Sequence, residues 1–405
     1  MVRTAWINTE ATGEWKFIQL TPTMLHTSIM LIFSAAVAVA AIVAKAFTTP
    51  KTRIHSSVRA VRTLLSPPDV PTPALLRARS IPNQRLVKAL GISSTFVSDD
   101  TGVHDNFTRE AKVLIGAVSA KDGWSRLVDV AEICVNRFLD VKSLDYATFV
   151  QSVTLSVVLA GLLGTDIEDL DPVDVAFVTK AINDRWAQSK SSTTLTTEVL
   201  DRINHHIIRW VPDRTNPLNL IIPAYETMWR VAAIAVVYSN RDSLLRDAFI
   251  SYNENPTDDQ FRAFANEETG AQPSAEAIIC EVLRLYPPTR HITRAVVVPW
   301  WKRPFVPSID VADIEEAHKS PLFGSDPESF NPMRFHSSHA APKRDQLYAF
   351  GHGKLKCVAA SWAPPAAAVI TAKIMAKLDG VAFKLQEGPC IGKREGWEGW
   401  SVQRV

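Results

Sequence analysis

No charged side chain occurs between Lys16 and Lys45, and inside that interval Ser28 to Ala44 reads SIMLIFSAAVAVAAIVA. With Met24 and Leu25 the run reaches the roughly 20 residues that a helix needs to cross a bilayer. A cleaved signal peptide is the competing reading. The long polar tail before the run argues against it, as does the want of a distinct small-x-small cleavage site in the alanine-rich stretch. Lys45, Lys51, Arg53, Arg59 and Arg62 follow the span, against Arg3 and Lys16 before it, so the positive-inside rule places the rest of the chain in the cytosol. There the sequon Asn106-Phe107-Thr108 would stay unglycosylated. The expected order is a lumenal tail (1–22), a transmembrane helix (23–45), a basic linker stiffened by SPPDVPTP (46–80), and one large domain (81–405).

The 405 residues carry 44 basic and 42 acidic side chains, and no basic block interleaved with aromatics stands out, so a nucleic-acid partner is not expected. Cys134, Cys280, Cys357 and Cys390 are widely spaced with no CxxC pair, which speaks against a disulfide framework or a structural zinc site and for a reducing compartment. From Phe107 to Asp201 the apolar spacing is mostly helical, as in Leu127, Val130, Ile133, Cys134 and Phe138. Further helices are expected over Leu218–Tyr238, over Ser274–Tyr286 where Pro287-Pro288 ends it, and over Ala359–Leu378 with Pro364-Pro365 near its start. Thr293–Val298 alternates like a strand. The fold class is mainly α with small β-sheets (α+β).

The segment that carries chemistry is Phe350-Gly351-His352-Gly353-Lys354-Leu355-Lys356-Cys357, read as a loop directly before a helix. A thiolate that binds iron needs a loop presenting the sulfur, donors for its lone pairs and positive potential. Glycines let backbone N–H groups approach without a clashing Cβ, and a helix N-terminus lowers the thiol pKa. Taken alone, Cys357 could equally be a structural cysteine after a tight turn. Upstream, Glu281 and Arg284 of Glu-Val-Leu-Arg share one helical face and can pair. Between them and the loop lies Asp-Pro-Glu-Ser-Phe-Asn-Pro-Met-Arg-Phe, with Arg334 able to join the same network.

In that order and at those distances, ExxR, the Pro/Phe/Arg loop and FxxGxxxC resemble the cytochrome P450 family, the fungal microsomal members above all. The resemblance covers about Asn83 to the C-terminus. It implies that Cys357 is the axial ligand of haem iron, with Phe350, Gly351 and Gly353 shaping the loop, and that Glu281, Arg284 and Arg334 form a buried network. Pro223-Ala224-Tyr225-Glu226-Thr227 aligns with the family's acid–Thr motif, which implies that Thr227 delivers protons for oxygen activation and Glu226 relays them. It also implies haem propionate contacts from Arg294, with Arg290 and His291 as substitutes, and from a His104…Arg109 pair spaced one residue wider than usual. Several positions depart from the pattern. Leu355 stands where Arg or His is usual, so one propionate contact is either missing or supplied elsewhere, by His352 or Lys354. Ala359 replaces Gly, Pro223-Ala224 replace the usual small pair, and the region between the span and Asn83 is short.

The resemblance implies a haem-dependent monooxygenase that oxidises an apolar small molecule with O2 and electrons from NADPH-cytochrome P450 reductase, with cytochrome b5 as a further donor. The site would be the cytosolic face of the endoplasmic reticulum, and the role a step in terpenoid, alkaloid or cyclic-dipeptide metabolism. Two alternatives keep their place: a haem-thiolate isomerase, dehydratase or coupling enzyme, and a catalytically dead membrane scaffold.

Overall fold

The computed structural model describes residues 4–8, 15–19, 22–48, 51–139, 145–191, 195–264, 272–296, 298–302, 305–336 and 340–405. It divides into two units, 1–53 with 296–309, and 54–295 with 310–405.

The first unit contains an antiparallel hairpin, β1 (Thr4–Asn8) on β2 (Trp15–Gln19), then helix α1 (Pro22–Thr48). The segment expected as a plain tail therefore holds a paired hairpin. The helix extends the expected span at both ends. Its apolar side chains, among them Ile29, Leu31, Phe33, Val39 and Ile42, are exposed rather than packed on protein. In the same unit Ser308 and Ile309 donate backbone N–H groups to the Lys51 carbonyl at 2.9 and 3.1 Å.

Strand β3 (Thr52–His55) begins the passage into the second unit. There follow α2 (Val58–Leu65), α3 (Thr72–Asn83), α4 (Arg85–Leu90), α5 (Thr101–Ser119), α6 (Lys121–Leu139), α7 (Tyr146–Ser156), α8 (Pro172–Gln188) and α9 (Thr197–Trp210). The next are α10 (Leu218–Arg241), α11 (Ser243–Glu254), α12 (Asp258–Arg262) and α13 (Ala275–Leu285). Strands β4 (His291–Ala295) and β5 (Ile309–Asp313), helices α14 (Ile314–Ala317), α15 (Ala340–Arg344) and α16 (Ala363–Leu378), and the hairpin β6 (Phe383–Gln386)–β7 (Ser401–Arg404) complete the chain. Asp100, Asp145, Asp171, Asp242 and Ser274 cap α5, α7, α8, α11 and α13 by accepting N–H bonds of the first turn, as short polar side chains do at helix starts.

Helix α10 is long and apolar enough to cross a membrane, but it is buried and packs against α7, α11, α13 and α16, so it is the core helix of this unit. A stripe at spacing 4, 1 and 3, namely Asn219, Pro223, Ala224 and Thr227, is only half-buried. Residues 46–80, expected as an extended linker, are instead folded over much of their length. Val61 and Leu65 of α2 are buried against Ala312, Ile314, Ala317 and Tyr348. The prolines that suggested an extended chain sit between α2 and α3 and in the first turn of α3, where a missing N–H costs nothing. Helix α16 begins at Ala363, not Ala359, because Pro364 and Pro365 fit only its first turn. Along α6, Leu127, Val130, Cys134 and Phe138 are buried as expected, while Ile133 is exposed.

Candidate active site

The Cys357 loop is a succession of tight turns. Gly351 and Gly353 hold φ of +72° and +69°, a region that L side chains rarely enter, and a Cβ on Gly353 would come within 2.3 Å of the Ser66 hydroxyl oxygen at the end of α2. The Gly351 N–H donates to the Tyr348 carbonyl and the Cys357 N–H to the Phe350 carbonyl, both at 2.8 Å, which closes the loop on itself. Cys357 is exposed. Crowding by protein nevertheless raises its thiol above 9.0, and the Ala359 N–H and Lys356 pull it back down. The residue is exposed to solvent, while the protein around it supplies the desolvation that raises the thiol. A cation bound to the sulfur would settle the balance, since a coordinating thiol is deprotonated outright. Turns at 358–362 separate Cys357 from α16, so the stabilising donor is a turn N–H and not the helix terminus itself. Cys134 and Cys280 are buried, with thiols pushed up to about 12 by desolvation, and are inert core residues.

Behind the loop stands a fully buried ion network. Arg284 donates through Nε and Nη2 to both carboxylate oxygens of Glu281, each at 2.7 Å, and neither side chain is exposed. Its remaining hydrogens go to the carbonyls of His318, Pro327 and Ser329 at 2.9, 2.5 and 3.0 Å. Glu281 also accepts the Asn331 N–H at 2.8 Å and the Arg334 Nε at 3.4 Å, and Arg334 donates to the Phe323 carbonyl at 2.8 Å. Burying charges is tolerable only when every donor and acceptor is matched, and here they are.

His318, which no motif marks, connects this network to the Cys357 loop. Its Nδ1 lies 3.1 Å from the Arg284 carbonyl oxygen and its Nε2 accepts the Tyr348 N–H at 2.9 Å. These partners fix one neutral tautomer, with the proton on Nδ1. Burial lowers its pKa from 6.5 to about 4. The unfolded chain therefore takes up a proton below pH 6.5 that the folded protein refuses until about pH 4. The stabilisation is fully present above pH 6.5 and is lost as pH falls toward 4, a total of about 3 kcal/mol at 1.36 kcal/mol per unit. His318→Phe is expected to lower stability at neutral pH by about 2–4 kcal/mol, because it orphans a buried carbonyl and a buried N–H. It should also remove this acid-dependent component. Urea unfolding of both proteins at pH 7.5 and pH 5 checks it; equal pH sensitivity would contradict the assignment.

The expected propionate contacts divide. Arg294 on β4 is buried, and beside it stands the equally buried Arg79 of α3; burial lowers both to about 10, and for Arg79 the charge of Arg294 contributes further. Arg79 donates through Nη2 to the Thr95 carbonyl at 2.7 Å, and the Thr95 hydroxyl lies 2.9 Å from His104 Nδ1. His104 thus joins this cluster. Arg109 does not: it is exposed and donates to Asn106 Oδ1 at 2.6 Å. Arg290 and His291 turn to Glu315 and Asp313. Lys354 donates to the Val70 carbonyl at 3.0 Å, so it does not replace Leu355. Both Arg79 Nε and Arg294 Nε are buried N–H donors without a hydrogen-bond partner among the described residues. Two adjacent guanidiniums in that condition call for anionic oxygens, which haem propionates would provide. Together with the open thiol in its glycine loop, the site fits haem.

On α10, Pro223 leaves one backbone donor missing, and the Thr227 hydroxyl donates weakly to the Pro223 carbonyl at 3.4 Å. Thr227 and Ala224 lie on the half-buried stripe, whereas Glu226 is buried and ion-paired with Arg394 from the loop between β6 and β7. The pairing was not foreseen.

No protein-family model matches the chain, and no curated protein is similar to it in sequence. Solved structures are similar in shape. The cytochrome P450DA haem domain superposes with a TM-score of 0.53 at 17% identity, covering 82% of this chain and 85% of that one. P450 OxyD, described as involved in the biosynthesis of vancomycin-type antibiotics, superposes with a TM-score of 0.53 at 16% identity, covering 100% and 93%. The chain has the cytochrome P450 fold.

Proposed function

We propose that this protein is a membrane-anchored haem-dependent monooxygenase that places one atom of O2 in an apolar small molecule and releases the other as water, using two electrons from NADPH. The observation that carries the reading is the Cys357 loop, with its two left-handed glycines, open thiol and fully matched ion network. Bound there, haem would supply an iron centre whose thiolate ligand favours O–O cleavage. Cys357 holds the iron, and the Ala359 N–H and Lys356 temper the charge on sulfur. Arg79 and Arg294, supported by Thr95 and His104, take the propionates. The Thr227 hydroxyl, held only loosely to Pro223, is available to orient a water and pass a proton. Glu226 replenishes that proton when Arg394 releases it. The chemistry does not fix the substrate; specialised metabolites of terpenoid, alkaloid or cyclic-dipeptide type fit an apolar site.

The exposed apolar α1 anchors the chain in the endoplasmic reticulum membrane, and the basic residues after it keep the catalytic unit cytosolic. NADPH-cytochrome P450 reductase and cytochrome b5 would donate electrons near the loop, where Lys356 and Arg62 are exposed cations; Lys354, Lys343 and Arg344 are already engaged by Val70, Arg334 and Glu276.

Thr227→Ala is expected to retain haem but to lower product formed per NADPH consumed, by about 10²-fold or more, with hydrogen peroxide rising to match. Oxygen and NADPH consumption measured beside product decide it. One observation favours the second reading, a haem-thiolate isomerase, dehydratase or coupling enzyme: Glu226 is tied to Arg394 and not free to relay protons. Turnover without net O2 uptake would establish that reading and remove ours.

A further inference from the structure

The surroundings of Glu226 hold more positive charge than an apolar substrate would need. Arg394 lies over the Trp186 ring at 4.5 Å, with Nη1 3.4 Å from Asn183 Oδ1, while its charge meets Glu226. Arg85, at the start of α4, approaches the same indole at 5.4 Å and is hydrogen-bonded to Ser189. Lys190 loses proton affinity first to burial and then to the charges of Arg394, Arg85 and Arg230. Arg230 is buried on α10, one turn after Glu226, and is satisfied by the carbonyls of Glu226 and Pro288 at 3.0 and 2.7 Å, not by a carboxylate. Among the described residues this gives four cations, Arg85, Lys190, Arg230 and Arg394, against two carboxylates, Glu226 and the exposed Glu395. Like charges brought this near one another, two of them at the Trp186 ring, cost energy unless an anion completes the set.

We propose that Arg394, with Arg85 beside it across Trp186, is the anchor for a carboxylate on the substrate, and that Glu226 occupies Arg394 until that carboxylate displaces it. A planar guanidinium pairs bidentately with a carboxylate, and the half-buried Trp186 side chain that both arginines approach puts apolar carbon next to that anchor. Glu226 then regains a free carboxylate in the helical turn that carries Thr227. The substrate is thus an apolar acid, and exchange at Arg394 couples its arrival to release of the proton-relay group. The inference rests on the monooxygenase reading for its catalytic meaning, but the anchor itself can be measured without turnover.

The test is calorimetric titration of the full-length protein at low salt with three matched pairs: octanoate and octanamide, 4-phenylbutyrate and 4-phenylbutanamide, indole-3-propionate and indole-3-propanamide. At least one carboxylate should bind tenfold or more tightly than its amide. Arg394→Gln should abolish that preference while leaving the amide within about twofold, Arg85→Gln should reduce it several-fold, and Glu226→Gln should strengthen carboxylate binding by removing the internal competitor. Equal affinities within every pair, a preference that survives both arginine variants, or a Glu226→Gln variant that binds carboxylates more weakly would overturn the proposal. Haem content is measured on the same samples. A protein that prefers carboxylates yet never loads haem would retain the anchor and lose the monooxygenase reading, so the two failures stay distinct.

Discussion

Cys357→Ser is expected to lose the spectral signature of a thiolate-bound haem and all oxygenation, whereas Cys134→Ser, Cys280→Ser and Cys390→Ser should keep both. Only Cys357 combines an open sulfur, a backbone donor at Ala359 and a nearby cation in Lys356. Cys134 and Cys280 are enclosed in the core with thiols near 12, and Cys390, though exposed, lies in the irregular loop between β6 and β7 with its sulfur 3.7 Å from the Gly396 carbonyl oxygen. The serine variant should still fold, because the loop is closed by backbone bonds from Gly351 and Cys357 that do not involve sulfur. Far-ultraviolet circular dichroism with visible spectra of all four variants checks it. A Cys357→Ser protein that oxygenates substrate contradicts the ligand assignment.

Arg284→Ala should yield protein that does not accumulate in a folded, haem-loaded state. The substitution strands the Glu281 carboxylate at full burial and leaves the carbonyls of His318, Pro327 and Ser329 without their donor. Breaking a buried pair costs about 3–5 kcal/mol, comparable with the whole stability of many domains at about 5–15 kcal/mol. The damage also reaches the ligand loop, since the Arg284 carbonyl is held by His318 and His318 holds Tyr348. Glu281→Gln should also be destabilising, because it leaves the buried Arg284 and Arg334 guanidiniums without a counter-charge and sets an amide donor against their N–H groups. Soluble yield and haem per protein after purification report on both. A well-folded Arg284→Ala protein with normal haem content would show that the network is dispensable.

The readable parts were those where one residue type meets a rigid local demand. Glycines at 351 and 353 are needed for left-handed turns, Pro287-Pro288 ends α13, and Glu281 and Arg284 on one helical face meet as i, i+3 spacing requires. Arg79 was hidden because it lies in 46–80, where prolines suggested an extended linker, yet those same prolines start a helix. His318 was hidden because its partners are backbone atoms 30 and 34 residues away, which leave no trace in spacing. Arg394 was hidden because it stands in the irregular loop between β6 and β7, and only the closure of that loop onto α8 and α10 brings it to Glu226. Arg109 shows the reverse: a motif-like spacing from His104 suggests a place at the site, whereas on α5 it is exposed and bonded to Asn106.

The central claim is that Cys357 in its glycine loop is a haem-thiolate ligand. Its most direct test is the absorption spectrum of the purified full-length protein, reduced and exposed to carbon monoxide. A strongly red-shifted Soret band, as given by carbon monoxide on thiolate-bound haem, is expected with one haem per chain and should be lost in Cys357→Ser alone. A protein that binds no haem after expression with haem precursor, or one whose band is that of a histidine-ligated or thiol-ligated iron, would contradict it.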